Sequence, residues 1–199
     1  MNKLFFTFVL ITFGFSCFAQ NIKLPAPNKT GGKPLMDVLN ERQSTREFSN
    51  KELSNQTISD LLWAAYGFNR SDKRTVPSAN NKQEFTIYVV LKSGVYTYDA
   101  KENILKLKVK GDHRSKAGKQ DFVATAPLNL VYVADLDKNS REGAVMNCGF
   151  IAQNVYLFCA SEGLGTVVRG YFDADEVKKT FQLSEKEVPI LTQTVGYKK

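Results

Sequence analysis

Apolar and polar residues follow two periods along the chain, and these periods predict helices interspersed with strands. Apolar residues recur at three- and four-residue steps in four stretches, which predict helices at 35–40, 55–66, 142–163 and 175–181. Apolar or alternating runs predict strands at 85–91, 95–98, 128–134, 166–168 and 190–197. Residues 103–110 fit either element, and residues 121–126 fit the end of a helix. A chain that mixes both elements in this order predicts an α+β domain.

Two of the predicted helices have informative sequences. Ser54 is a plausible N-cap for the second helix, which ends at Gly67. The longest helical stretch, 142–163, is apolar on nearly every face, which is typical of a helix inside a domain or between subunits. It carries Cys148 and Cys159, about 16 Å apart at the helical rise, so a disulfide between them is excluded. We expect both to be buried free thiols.

The first nineteen residues have the pattern of a secretory signal peptide. Lys3 precedes the apolar run 4–15, and small residues lead to a cleavage point after Ala19. The run is too short for a stable membrane span, so none is expected after cleavage. We therefore expect an exported, periplasmic protein. The alternatives are an uncleaved anchor and a lipoprotein modified at Cys17, which Phe15 disfavours because a small residue is usual at that position.

Cleavage would leave 180 of the 199 residues, enough for one domain with a sizeable core. Residues 20–34 are rich in proline and glycine and predict an extended arm, and residues 35–199 form the predicted domain. The net charge falls from +7 to +6. The positive charge is densest at 101–119 but lacks interleaved aromatic residues, which argues against nucleic-acid binding and suits solubility or anionic ligands.

Standard catalytic and metal-binding patterns are absent from the sequence. His113 is the only histidine, and it cannot build a zinc site with the two cysteines that remain. No serine lies in a nucleophile elbow, and no complete glycine-rich phosphate loop occurs. An enzyme with this sequence would therefore depend on a cofactor for its chemistry.

Three polar segments carry the candidate chemistry. In the arginine segment, residues 42–46, two guanidiniums flank Ser44 and suit phosphate oxygens or a negatively charged ring edge. In the asparagine segment, residues 77–83, carboxamides offer paired donors and acceptors. In the glycine segment, residues 163–173, missing side chains allow backbone to approach a flat ring. Each segment alone also fits an ordinary surface, turn or helix end.

In order along the chain, these segments resemble the FMN-binding elements of the nitroreductase superfamily. The arginine segment resembles its arginine–x–serine–x–basic element, and the asparagine segment its proline–serine–small–x–asparagine–x–glutamine loop. The glycine segment resembles its glycine–leucine–glycine and glycine–phenylalanine–aspartate region, and residues 195–197 its terminal valine–glycine–tyrosine. The resemblance covers about residues 35–199, and the pattern is most similar to the compact branch related to thiazole/oxazole-forming dehydrogenases.

The resemblance implies a fold, a cofactor and an assembly. The fold is a three-layer α+β structure, with a mostly antiparallel central sheet flanked by helices and a long central helix at a dimer interface. The cofactor is FMN, bound in two clefts of a homodimer. No metal and no catalytic side chain are implied, because flavin N5 carries the chemistry. We expect a charge at Ile151 or Val155 to disturb association more than a change at Gln153 or Asn154.

The resemblance also implies roles for single residues. Arg42 would hold the phosphate, Ser44 the ribityl chain, and Arg46 the ring edge where negative charge develops on reduction. Asn81 and Gln83 would come from the other subunit. The implied cofactor-binding residues are Arg42, Gln43, Ser44, Arg46, Pro77, Ser78, Ala79, Asn80, Asn81, Gln83, Gln120, Val168, Arg169, Gly170, Lys198 and Lys199.

The sequence also departs from the family pattern. Arg169 stands where many members carry an acidic residue, and the C-terminal phosphate contact would fall to Lys198 or Lys199. The expected function is an oxidoreductase that transfers hydride through flavin N5, to or from a nitroaromatic, quinone or azoline-like substrate. The alternative is a non-catalytic flavin-binding protein of the same fold.

Overall fold

The computed structural model describes residues 20–199. The predicted signal peptide and the alternative lipidation of Cys17 lie outside the described residues. The described chain forms a seven-stranded sheet with the order β1-β4-β3-β2-β5-β7-β6, in which neighbouring strands are antiparallel. The expected α+β class is therefore confirmed.

The strands and helices follow most of the predicted stretches. The strands are β1 (Ile22–Lys23), β2 (Phe85–Leu91), β3 (Gly94–Asp99), β4 (Ile104–Lys110), β5 (Leu128–Asp135), β6 (Leu164–Arg169) and β7 (Glu187–Tyr197). The helices are α1 (Leu35–Glu41), α2 (Asn55–Tyr66), α3 (Asp121–Thr125), α4 (Arg141–Ser161) and α5 (Ala174–Phe181). The predicted cap of α2 is confirmed, because the Ser54 side chain accepts a hydrogen bond from the Thr57 N–H and Gly67 is the C-cap.

One edge of the sheet contains elements that the sequence left undecided. The ambiguous stretch 103–110 contains strand β4, whose alternation of apolar residues with lysines matches a sheet with one exposed face. The N-terminal arm contributes β1, since Ile22 pairs with Leu105 and Lys23 with Ile104. The arm is thus not structureless throughout, and it is anchored to the sheet.

Alternate side chains of the central strands enter two cores. Ile87 and Val89 of β2 join the larger core with buried residues of α2 and α4. Tyr88 and Val90 join the second core with Val177 and Phe181, where Tyr88 stacks on Phe181 at 5.5 Å between ring centroids. Helices therefore cover both faces, as the three-layer prediction required, and the open edges are left as possible binding surfaces.

The apolar residues of the long helix α4 are buried on one side and exposed on the other, which its sequence did not indicate. Ile151 and Val155 are fully buried within the chain, whereas Val145, Met146 and Phe150 are 49%, 65% and 47% exposed. The prediction that a charge at Ile151 or Val155 disturbs association stays a prediction, and such a charge would also disrupt the core of the single chain. Within residues 20–199, α4 is the helix whose length and composition would suit a membrane span, but half of that apolar window is buried against the fold.

Both cysteines of α4 are buried free thiols, as predicted. Burial raises the pKa of each thiol. Among the described residues there is no group of three or more His, Cys, Asp and Glu side chains that could hold a metal ion.

Candidate functional site

The arginine segment lies along β6, the edge strand at the end of the sheet. The Thr45 N–H donates to the carbonyl of Thr166 at 2.9 Å, and the Ser49 N–H donates to the carbonyl of Tyr197 at 2.9 Å. Gly165 permits this close approach, because a Cβ there would lie 2.8 Å from Cγ2 of Thr45. The arginine and glycine segments are therefore neighbours in the folded chain.

Tyr156 of α4 joins these two segments. Its hydroxyl lies 2.8 Å from Oγ of Ser44 and accepts a hydrogen bond from the Val168 N–H at 3.1 Å. The guanidinium of Arg42 lies 5.2 Å from the centroid of the Tyr156 ring. The sequence did not identify Tyr156 as a site residue, since its helical spacing indicated only a core position.

The edge of β6 is open beyond Thr166. Because the Val168 N–H points away from β7 toward Tyr156, the Val168 carbonyl points to the same outer side, and so does the N–H two residues on, at Gly170. The Gly170 N–H has no hydrogen-bond partner among the described residues. A Cβ at Gly170 would meet its nearest atom only at 3.9 Å, so a flat ligand can approach this edge.

Four cations belong to the segments that flank β6. Arg42, Arg46, Lys198 and Lys199 lie in or beside the arginine segment, since Phe48 pairs with Lys198 and the Lys199 N–H donates to the Glu47 carbonyl. In the described part of the chain, none of the four side chains forms an ion pair with a carboxylate. Their charges are therefore available to an anionic ligand.

Arg169 belongs to the glycine segment, but its side chain is buried on the opposite side of β6. The guanidinium is 95% buried, donates to Oγ1 of Thr194, and lies 3.3 Å from both the Asn129 carboxamide oxygen and the Ala117 carbonyl. Burial lowers the pKa of Arg169 to about 10. The Arg169 side chain therefore does not line the open edge.

Gln120 lies beside this buried guanidinium and not on the open edge. A Cβ at Gly118 would be 3.0 Å from Nε of Arg169 and 3.4 Å from Oε1 of Gln120. Both atoms are buried and lack a hydrogen-bond partner. Gln120 and Arg169 thus approach the same space beside Gly118, without a hydrogen bond between these two atoms.

The asparagine segment lies at the other end of the sheet. It leads into Phe85, which pairs with Ala134 at the end of β5, whereas Leu128 at the start of β5 pairs with Val195 near the arginine segment. The strand rise separates Leu128 from Ala134 by about 20 Å. The arginine and asparagine segments of one chain therefore do not form a common cleft.

The asparagine segment is a tightly held loop. Asn80, Asn81 and Gln83 all have positive φ angles, near 50°. The Gln83 amide donates to Oδ1 of Asn81 at 2.9 Å, and its Oε1 accepts from Nε of Arg74 at 2.9 Å. The Arg74 guanidinium also lies 3.9 Å from the Phe68 ring centroid. The Gln83 carboxamide is thus largely occupied within its own chain, whereas Asn80 is exposed.

Comparisons with known proteins identify the family to which this fold belongs. The sequence model of the Nitroreductase family matches residues 39–197. Two proteins that carry the name putative nitroreductase are similar over most of their length. One, MJ1384 of Methanocaldococcus jannaschii, is 36% identical over 82% of this chain and 91% of its own. The other, a crystal structure from Ralstonia eutropha JMP134, is 42% identical with a TM-score of 0.85 over 90% of each chain.

Two more distant structures share the fold. A chain of the Escherichia coli microcin synthetase McbBCD complex has a TM-score of 0.70 at 22% identity, covering 98% of this chain and 84% of that one. The FMN-dependent nitroreductase of Clostridium difficile R20291 has a TM-score of 0.61 at 19% identity, covering 82% and 87%. The fold and these similarities define an oxidoreductase. The chain belongs to the nitroreductase family.

Proposed function

We propose that this protein is an FMN-dependent oxidoreductase that works by two-step hydride exchange between an electron donor and a small organic substrate. When bound, the flavin supplies the hydride chemistry at its N5 atom, and nitroaromatics, quinones or azoline-like rings are the proposed substrates. The observation that carries the proposal is the open edge of β6 with its bare backbone at Gly170, together with four cations in the flanking segments that form no ion pair with a carboxylate among residues 20–199. This combination fits a flat ring joined to a phosphate.

The side chains of the open edge have separate proposed tasks. Arg42, Lys198 and Lys199 hold the phosphate, and Ser44 binds the ribityl chain. Arg46 neutralises the ring edge that gains negative charge on reduction, because a fixed cation favours the charged form. The Val168 carbonyl and the Gly170 N–H orient the ring against β6.

The proposed active form is a homodimer. The asparagine and arginine segments lie near opposite ends of β5, which are about 20 Å apart along the strand, so the asparagine segment can contribute to such a cleft only by meeting a second copy. A candidate contact surface exists: Leu35, Met36 and Leu39 of α1 are 61%, 74% and 44% exposed, and α1 packs against α4, which exposes Met146 and Phe150. Large apolar side chains in this number favour an interface.

We further propose that the protein is exported to the periplasm after cleavage of its first nineteen residues. NAD(P)H is scarce outside the cytoplasm, so the electron donor of the exported protein would differ from that of cytosolic relatives. Mass spectrometry of the protein from the native envelope is expected to show a chain that begins at Gln20. A chain that retains Met1, or one with lipid on Cys17, would contradict export by this route.

Purified protein that spans residues 20–199 tests the function directly. We expect a yellow protein with absorbance near the flavin bands, and release of one FMN per chain, identified by its mass. Reduction by a chemical or enzymatic donor followed by reoxidation with a quinone or nitroaromatic would establish turnover. Bound flavin without turnover would instead identify a flavin-binding protein, and absence of flavin even after incubation with FMN would refute the proposal.

A further inference from the structure

The hydroxyl of Tyr156 has a defined donor direction. The Val168 N–H can only donate, so Oη of Tyr156 accepts that hydrogen bond. The remaining polar neighbour of Oη is Oγ of Ser44 at 2.8 Å. The phenol hydrogen therefore goes to Ser44, because a phenol that is 93% buried satisfies its donor where a partner is in reach.

This direction leaves the Ser44 hydroxyl with a free hydrogen. Oγ of Ser44 accepts from Tyr156 and has no second partner among residues 20–199. Ser44 itself is exposed, so its own hydrogen points toward whatever occupies the open edge. A ligand there meets a serine donor, the Val168 carbonyl acceptor and the Gly170 N–H donor, in a fixed pattern.

We infer that Tyr156 is a positioning residue that turns Ser44 into a hydrogen-bond donor for an oxygen of the ribityl–phosphate chain of FMN. The inference rests on the proposed function, because it assigns FMN to the open edge. Two further contacts support it. The Tyr156 ring packs under the Arg42 guanidinium, 5.2 Å from the ring centroid. The Tyr156 hydroxyl accepts the hydrogen bond of the Val168 N–H, which would otherwise donate to the same ligand oxygens as Ser44.

The substitution Tyr156→Phe tests this role because it keeps the ring beneath Arg42 and removes only the hydroxyl. Without the phenol hydrogen, Ser44 can turn its own hydrogen elsewhere. We expect FMN affinity to fall by up to about tenfold, the size of one neutral hydrogen bond. Ser44→Ala is expected to cause a similar loss, and the double variant little more than either single one. Titration of the apoprotein by flavin fluorescence measures all three.

Tyr96→Phe is a matched control. The Tyr96 hydroxyl lies 2.9 Å from Oγ of Ser93 and the residue is 1% exposed, so the change removes an equivalent buried tyrosine–serine contact. Because β3 lies four strands from β6, FMN affinity is expected to stay at the wild-type value even if thermal stability falls.

The possible outcomes distinguish a failure of the role inferred for Tyr156 from a failure of the proposed function. Wild-type affinity for FMN in Tyr156→Phe, or losses that add fully in the double variant, would overturn the role of Tyr156 while the wild-type protein still binds FMN. A wild-type protein that does not bind FMN would instead refute the proposed function. A loss in Tyr156→Phe that matches the loss in Tyr96→Phe would also overturn the inference, since it would report general destabilisation.

Discussion

Arg42 and Arg46 lie four residues apart in one segment, but their surroundings differ. The Arg42 guanidinium is partly buried and stacks over Tyr156 at 5.2 Å, whereas Arg46 is exposed. A guanidinium that is already stacked loses less side-chain entropy when it binds an anion. Arg42 is therefore better preorganised than Arg46 to bind an anion such as a phosphate.

Arg42→Ala is expected to weaken FMN binding by about ten- to a hundredfold, since a hydrogen bond to a charged group contributes about 1.5–3 kcal/mol. Riboflavin, which lacks the phosphate, should lose far less affinity. Isothermal titration of both ligands measures the difference. Lys179→Ala, which removes a positive charge from an exposed position of helix α5, is the control. Equal losses for both flavins would contradict the assignment of Arg42 to phosphate.

Arg46→Ala is expected to lower the midpoint potential of bound flavin, because the ring that gains negative charge loses a nearby cation. Dye-coupled redox titration measures the potential, and Arg46→Lys should keep most of it because the charge remains. An unchanged potential in Arg46→Ala would mean that this side chain is only a solvated surface charge.

One buried and one half-buried tyrosine predict a fall in stability at alkaline pH. Burial is the largest cause that raises the pKa of Tyr66 and of Tyr98 to about 12. Between pH 10 and 12 the unfolded chain loses these protons while the folded chain keeps them, so the free energy of unfolding falls as pH rises, by at most about 1.4 kcal/mol per pH unit for each phenol. Urea unfolding at pH 9 and pH 11 measures this fall.

The controls for the pH effect are single substitutions. Tyr98→Phe should make the free energy of unfolding less dependent on pH, whereas Tyr171→Phe, at a residue 62% exposed, should not. Identical pH profiles for the wild-type protein and Tyr98→Phe would exclude Tyr98 as a source of the effect.

At the residue scale, the sequence predicted some members of the candidate site and missed others. Motif spacing placed Arg42, Ser44, Val168 and Gly170 in one site, and the structure brings their segments together. Tyr156 was not predicted because an apolar-spaced tyrosine on a helix has the same pattern whether its hydroxyl enters the core or a ligand site. The burial of the Arg169 side chain, which donates to Thr194 away from the open edge, becomes visible only in the folded strand.

At the level of elements, strong periodicity gave reliable predictions and weak periodicity did not. The strand β5 is buried along nearly its whole length, and its continuous apolar run could be predicted from the sequence. Strand β4 was left undecided, although its alternation of apolar residues with lysines has the period of a half-buried strand. In α4 the apolar residues surround the axis, so which of them stay exposed depends on the neighbouring elements.

The exposed side of α4 leads to a prediction about dimerisation. Phe150→Asp places a charge on the proposed contact surface, so we expect monomers at micromolar concentration and loss of bound flavin. Tyr171→Asp, which alters another exposed aromatic residue away from α1 and α4, should keep the wild-type mass. Sedimentation velocity separates the two outcomes. A Phe150→Asp protein that remains dimeric with full flavin content would contradict the proposed interface.

At the level of the whole molecule, the sheet holds the two halves of the candidate site apart. The sequence predicted all the segments but not their arrangement, because spacing along a chain carries no information on which end of a sheet each segment reaches. Strand pairing settles this: Leu128 pairs with Val195 at one end of β5, and Ala134 pairs with Phe85 at the other. Each chain of the proposed dimer thus gives one half to each of two sites.

This division has a genetic consequence. Suppose that one copy carries Arg42→Ala and a second carries a change that inactivates the asparagine segment, such as Asn81→Asp. Neither copy alone would build a working site, but a mixed dimer would combine both defects in one cleft and leave the other intact. Random pairing is then expected to restore roughly a quarter of all sites, so co-expression of the two defective alleles should recover measurable activity. No recovery from stable mixed dimers would mean that each chain builds its site alone.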